Sequence, residues 1–251
     1  MNIKIIVATH KIYRMPNDKL YIPIQAGAAL APPIGFTCDS VGENISEKNP
    51  NYCELTALYW AWKNLDAEYI GIVHYRRHFR LKRSRDKWES ILTNEQAQRI
   101  CSENSIILPK KRRYFIETNY SHYVHAHKKE GLDLAEKVIA EKYPQFSGAY
   151  KKVMSRTSAH MFNMMIMKRD KLEEYCSFLF DVLSETERRL DISGYDKSEA
   201  RVFGYIGEVL LDVWLEGTGY PYKEIGYIFM EKQNWLLKGG RFLERKLRGG
   251  R

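Results

Sequence analysis

The eleven residues from Ile70 to Arg80, reading IGIVHYRRHFR, constrain the fold more than any other stretch of the chain. Ile70 to Val73 is uncharged and β-branched around one glycine, the pattern of a short buried strand. It ends abruptly in His74, Tyr75 and the adjacent Arg76 and Arg77. Paired cations are costly to bury and well suited to a phosphorylated ligand, and in open α/β sheets ligands gather beyond the carboxyl ends of such strands. The expectation is an α/β sheet with a phosphate-handling site at this exit. An arginine pair salt-bridged at a sheet edge is the structural alternative.

Other elements fit around that strand. Lys4 to Ala8 reads as a first apolar strand, again ending in polar groups at Thr9, His10 and Lys11. Ile22 to Pro33 is rich in small residues and reads either as a loop close to a ligand or as a turn before a strand. Leu55, Leu58, Trp62 and Leu65 recur at helical spacing, so Tyr52 to Asn64 predicts a helix leading directly into the Ile70 strand. The order strand, loop, helix, strand is βαβ-like and predicts a mainly parallel sheet. Further along, Asn94 to Glu103 and Tyr120 to Tyr143 read as helical, Ser105 to Leu108 and Met161 to Met167 as strands. A long amphipathic helix over Asp170 to Leu190, a helix over Gly204 to Leu215 and a strand within Tyr220 to Met230 complete the pattern.

Charge is more informative by its placement than by its size. Of the net +9, residues 76–87 contribute +6 and the last twenty residues another +6, leaving a body near neutrality at −3. Such patches suit nucleic acid, anionic lipid or a phosphorylated substrate. Residues 233–251 mix Trp235, Leu236, Leu237, Phe242 and Leu243 with cations, which reads equally as an interfacial membrane segment or as a basic terminus. The four cysteines lack zinc spacing and read as free thiols. No apolar stretch approaches the ~18 residues of a membrane span and the first residues lack a signal-peptide pattern, so a cytoplasmic chain is expected.

Many enzymes that use nucleotide-sugar donors end a strand in Asp-x-Asp, whose carboxylates hold a divalent cation on the diphosphate. The chain contains no Asp-x-Asp. Several blocks nonetheless carry a family resemblance: Asn44 to Ser46 with Lys48 and Asn49, Tyr52 to Asn64 (YCELTALYWAWKN), Gly71 to Phe79, Asn163 to Lys168, and Arg201 to Glu208 (RVFGYIGE). From about residue 3 to 232 the chain resembles bacterial capsular and cell-surface polysaccharide glycosyltransferases, once catalogued as a domain of unknown function, some of which look like galactofuranosyltransferases. The resemblance implies one α/β domain over 1–232 of GT-A-like type, with a mainly parallel, Rossmann-like sheet flanked by helices, followed by the tail at 233–251. It also implies a nucleotide-sugar donor, UDP-linked, and a growing lipid-linked glycan as acceptor, at the inner face of the plasma membrane.

Within that resemblance, Arg76 and Arg77 are expected to hold the departing diphosphate in place of a metal, so no divalent cation or other cofactor is expected. Thr9, His10, Lys11, Asn44, Lys48, Glu54, His74 and Tyr75 complete the expected donor side. A base must deprotonate the acceptor hydroxyl. Glu208, following Gly204 and Gly207 whose smallness lets a ligand approach, is the first choice, and Asp196 the second. A salt bridge from Glu208 to Arg201 is its structural alternative. His122 and Asn163 are expected on the acceptor side; the His122, His125 and His127 spacing is poor for a metal site. The rival reading is a non-enzymatic nucleic-acid-binding protein that uses the cations at 76–87 and 110–113 with interleaved Tyr75, Phe79, Tyr114 and Phe115. Against it, no nucleic-acid-binding signature appears.

Overall fold

The computed structural model describes residues 1–231. The first half runs β1 (Ile3–Thr9), β2 (Tyr21–Gln25), β3 (Thr37–Cys38), α1 (Asn49–Tyr52), α2 (Leu55–Asn64), β4 (Tyr69–His74) and β5 (Arg77–Arg80). It continues with α3 (Asn94–Cys101), β6 (Ile106–Pro109), β7 (Arg112–Arg113), α4 (Asn119–Val124), α5 (Glu130–Lys142), α6 (Ser147–Ser155) and β8 (Ser158–Ala159). The remaining elements are β9 (Met165–Lys168), α7 (Arg169–Arg189), α8 (Val202–Thr218) and β10 (Lys223–Phe229). The tail reading at 233–251 lies outside the described residues.

Strands β1 and β4 form the centre, pairing in parallel with Ala8 opposite His74, so the two polar strand exits lie side by side. Their side chains alternate between two cores, as strand periodicity demands. Ile6, Ala8, Ile70 and Ile72 face a large core with α2, α5, α6, α7 and α8. Ile5, Val7, Tyr69 and Val73 face a smaller one with Ala97 and Cys101 of α3. Both central strands are therefore covered on both faces, which accounts for their near-absence of polar residues before the exit.

The expected mainly parallel, Rossmann-like sheet is not what forms. The eight-stranded sheet is mixed: β3, β2, β1 and β4 are parallel, but β9 runs antiparallel to both β4 and β6, and β5 antiparallel to both β4 and β10. The βαβ start holds for the first half only, because the short apolar strands of the second half carry no residue pattern that fixes their direction. Local breaks also differ from the periodicity. Tyr52 to Asn64 is interrupted at Cys53, whose φ of 53° ends α1 before α2 begins. Met161 to Met164 is a turn with Phe162 and Asn163 at φ 79° and 50°, and the strand starts only at Met165. The span Tyr120 to Tyr143 divides into α4 and α5.

The small-residue segment after β2 packs tightly against its own chain. Gly27 adopts φ 72°, and a Cβ there would meet Asn49 at 2.7 Å. The loop is held by fully buried Asp39, which accepts from the Gly27 and Ala28 backbone N–H groups at 2.9 and 3.0 Å and from the Ser46 and Thr56 hydroxyls at 2.5 and 2.7 Å. Every partner is a donor, so Asp39→Asn turns one acceptor into a donor facing donors. It is expected to cost about 2–3 kcal/mol, read as a lowered urea midpoint with unchanged slope.

Candidate active site

The exits of β1 and β4 bring two sets of polar side chains together. The Tyr75 N–H donates to Ala8 O at 3.2 Å, which seats the buried Tyr75 ring beside the turn after β1. Thr9 is buried there, its hydroxyl donating to Lys11 O at 2.7 Å and so shaping that turn. His10 meets Tyr75 edge-on at 5.5 Å, and the Lys11 ammonium lies 5.1 Å from the same ring centre. His74 Nδ1 accepts from the Arg76 backbone N–H at 3.2 Å. Burial, then Arg77 and Arg76, drive the His74 imidazole down to about 2, so it is neutral and serves as an acceptor that fixes the loop. Burial and the cations Arg76, Lys11 and Arg201 likewise lower His10, which places Arg201, immediately before α8, within the same positive field.

The two arginines are held differently. Arg76 is 40% exposed and lies 3.7 Å from Glu231. Arg77 turns inward, its guanidinium 4.2 Å from the Phe162 ring centre and 5.6 Å from that of Phe229. Burial lowers its ordinary value while Glu54 and Glu208 support its charge, and a guanidinium stays protonated at any working pH. The Nε atoms of both arginines are buried without a hydrogen-bond partner among the described residues.

Glu54 and Asn163 pair close to Arg77. Asn163 Nδ2 donates to Glu54 Oε1 at 3.0 Å and to Gly204 O at 3.2 Å, while its Oδ1 is buried and unpartnered. The left-handed turn at Phe162 and Asn163 is what aims both side chains here, at a cost of order 1–3 kcal/mol per residue that sequence periodicity does not reveal. Gly204 and Gly207 admit protein rather than ligand: an added Cβ would meet Cys53 Sγ at 3.0 Å and Leu55 Cδ1 at 2.7 Å. The smallness expected to receive a ligand thus serves the packing of α8 against the α1–α2 kink.

Glu208 sits on α8 and lines a cavity of about 100 Å³. Burial and the facing Glu54 push its carboxyl up to about 7, against the pull of the Phe162 backbone N–H, Arg77 and Arg112. Arg201 is not its salt-bridge partner; the Arg201 Nε donates instead to Cys53 Sγ at 3.1 Å. His122 lines the same cavity, stacked on Tyr114 at 4.0 Å and bonded through Nδ1 to Glu117 at 2.7 Å. Thr9, His10, Lys11, His74, Tyr75 and Arg76 thus gather at the strand exits, Arg77, Glu54 and Asn163 form a second cluster, and Glu208 with His122 lines the cavity.

Three expected residues are engaged elsewhere. Asn44 bonds Ser40 O, Gly42 O and the Ser46 N–H, so it shapes its own loop. Lys48 pairs with Glu187 at 2.5 Å and lines a separate groove with Tyr59 and Trp62. Asp196 is exposed and accepts from the Ser198 and Glu199 backbone N–H groups, which lower its carboxyl. Residues missed in the sequence include Arg201, Tyr205 and Asp212. They precede or follow Glu208 by seven, three and four positions, a polar stripe on one face of a helix that is otherwise buried and apolar.

The sequence pattern of a family described as a domain of unknown function, DUF4422, matches residues 4–219. Among solved structures the chain is similar to the apo structure of WbbM, described as a bifunctional glycosyltransferase, with a TM-score of 0.85 at 31% identity. The match covers 92% of this chain and 46% of WbbM, so the chain spans about half the length of that protein. No curated protein matches the chain. No helix among the described residues is long and apolar enough to cross a membrane.

Proposed function

We propose that the chain, which belongs to the DUF4422 family, is a glycosyltransferase moving a sugar from a nucleoside diphosphate donor to a glycan acceptor. The observation that carries the reading is a carboxylate raised to about 7 facing a half-buried arginine beside the paired exits of β1 and β4. Glu208 takes the proton of the acceptor hydroxyl, whose oxygen attacks the anomeric carbon as the bond to the diphosphate breaks. A base is most effective when its own value lies near the working pH, which this environment provides. The charge left on the diphosphate is met by Arg77 and Arg76, with Lys11 and Arg201 adding to the field. In this reading the guanidinium groups of Arg76 and Arg77 stand where a carboxylate-held metal would otherwise meet the diphosphate.

In finer detail we propose a UDP-linked donor, with galactofuranose a sugar to test, and a growing lipid-linked surface glycan as acceptor at the inner face of the membrane. Thermal shift with UDP, GDP, dTDP and CMP, with and without EDTA, tests the core of the reading. Saturable stabilisation by one nucleotide, unchanged by EDTA, is expected. Stabilisation that disappears with EDTA would overturn the arginine-for-metal assignment. Binding of no nucleotide, with salt-sensitive oligonucleotide binding instead, would overturn the transferase reading.

A further inference from the structure

The cavity beside Glu208 has a chemical character opposite to that of the strand exits. No lysine or arginine lines it, whereas Arg76, Lys11 and Arg201 crowd around His10. It is therefore unsuited to a phosphate and suited to an uncharged, hydroxylated group. Two ring pairs supply flat faces: His122 stacked on Tyr114 and His127 stacked on Tyr205, each at 4.0 Å. The C–H faces of a sugar ring pack well on such surfaces, leaving its hydroxyls at the rim for polar partners.

Two of those polar partners are waiting in the cavity wall. Tyr123 and Asn119 are only 7% and 6% exposed, and Tyr123 Oη and Asn119 Oδ1 have no hydrogen-bond partner among the described residues. A buried polar atom without a partner costs about 1–3 kcal/mol, so a hydroxyl brought against either atom would recover that cost. The Asn119 amide cannot swing away, because its Nδ2 donates to Val153 O and Ser158 O at 2.8 and 3.1 Å. That orientation fixes Oδ1 as an acceptor and makes it complementary to a hydroxyl. Tyr123 Oη can both donate and accept.

We infer that this cavity binds the acceptor sugar that carries the attacking hydroxyl, with Asn119 and Tyr123 reading its hydroxyls and the His127–Tyr205 pair its ring face. The assignment rests on the glycosyltransferase reading, in which the group needing deprotonation lies against Glu208. The anionic half of the donor belongs with the arginines, so the compartment that shares Glu208 and has no lysine or arginine in its lining falls to the acceptor. A cavity of about 100 Å³ has room for one sugar ring at most, so the rest of a longer glycan extends outside it.

Saturation-transfer NMR on the full chain tests this, with methyl glycosides of common hexopyranoses and hexofuranoses as probes and the best-binding nucleotide of the panel as reference. Wild-type protein should saturate at least one glycoside. Tyr123→Phe, which removes one oxygen, should weaken that glycoside about fivefold, and Ala126→Trp, which fills the cavity, should abolish its signal, both with nucleotide affinity unchanged. Glycoside binding that survives both variants unchanged, or no glycoside binding beside normal nucleotide binding, would overturn the inference and leave the transferase reading standing. Failure of wild type to bind any nucleotide would instead overturn that reading, and the acceptor assignment with it.

Discussion

Replacing Glu208 by glutamine is expected to stabilise the protein above neutral pH while reducing glycosyl transfer by about 10²- to 10⁴-fold. Both halves come from one cause. The native carboxyl is held near 7, against 4.5 for an unperturbed glutamate, chiefly by burial and the facing Glu54. Below about pH 4.5 both native and unfolded chains are protonated and nothing is lost. Between 4.5 and 7 the unfolded chain releases a proton that the native state retains, so stability falls as pH rises, by up to about 3 kcal/mol once pH exceeds 7. The neutral amide has no such penalty. Its melting temperature should therefore exceed wild type by several degrees at pH 8 and match it near pH 4.5. The wild-type rate should rise with pH through an acid limb near 7. Transfer within tenfold of wild type would remove Glu208 as the base, and an equal stability difference at both pH values would remove the raised carboxyl as its cause.

The opposed effects of that substitution identify what the sequence could and could not disclose. Strands β1 and β4 were legible because a strand covered on both faces must be apolar throughout and can become polar only where it leaves the sheet. Helix α7 was legible within a residue at each end, since twenty-one residues at helical period leave little ambiguity. The direction of β9 was not: Met165, Ile166 and Met167 are buried whichever way the strand runs, and direction is decided by the chain's path through α6 and the turn at Phe162. The interruption at Cys53 was equally hidden, because Tyr52, Leu55 and Leu58 keep a helical spacing of three across it. Only the later encounter with Gly204 gives the kink its reason.

In the site, local chemistry was easier to see than convergence. A pair of arginines after an apolar strand is conspicuous in any sequence, whereas Glu208 and His122 lie 86 positions apart and share a cavity only because α4 packs on α6 and α6 on α8. Asn44 and Lys48 drew attention as parts of a motif, and the structure engages them in a loop and an ion pair. A motif records what a fold needs as well as what a reaction needs, and only geometry separates the two. Arg201, Glu208 and Asp212 could have been grouped from their spacing of seven and four, since charged groups repeating along one face of a buried helix must each find a partner.

Arg77→Ala is expected to lower transfer by about 10²- to 10³-fold, and Arg76→Ala by about tenfold, expressed mainly in donor affinity. The difference follows from their settings. Arg76 is more exposed, is near Glu231, and acts across solvent that screens it. Arg77 is packed against Phe162 and Phe229 with solvent largely excluded, so its charge acts at close range on the leaving diphosphate. It also lowers Glu208, so its loss should move the acid limb of the rate profile to higher pH, a displacement that Arg76→Ala should not produce. Arg77→Lys keeps the charge but not the planar fork, and should restore the pH profile while recovering only part of the rate. Rates across pH for the three variants distinguish the possibilities. If Arg76→Ala is the more damaging and Arg77→Ala leaves the acid limb in place, then Arg77 braces the turn to β5 and the diphosphate is held by Arg76 and Lys11.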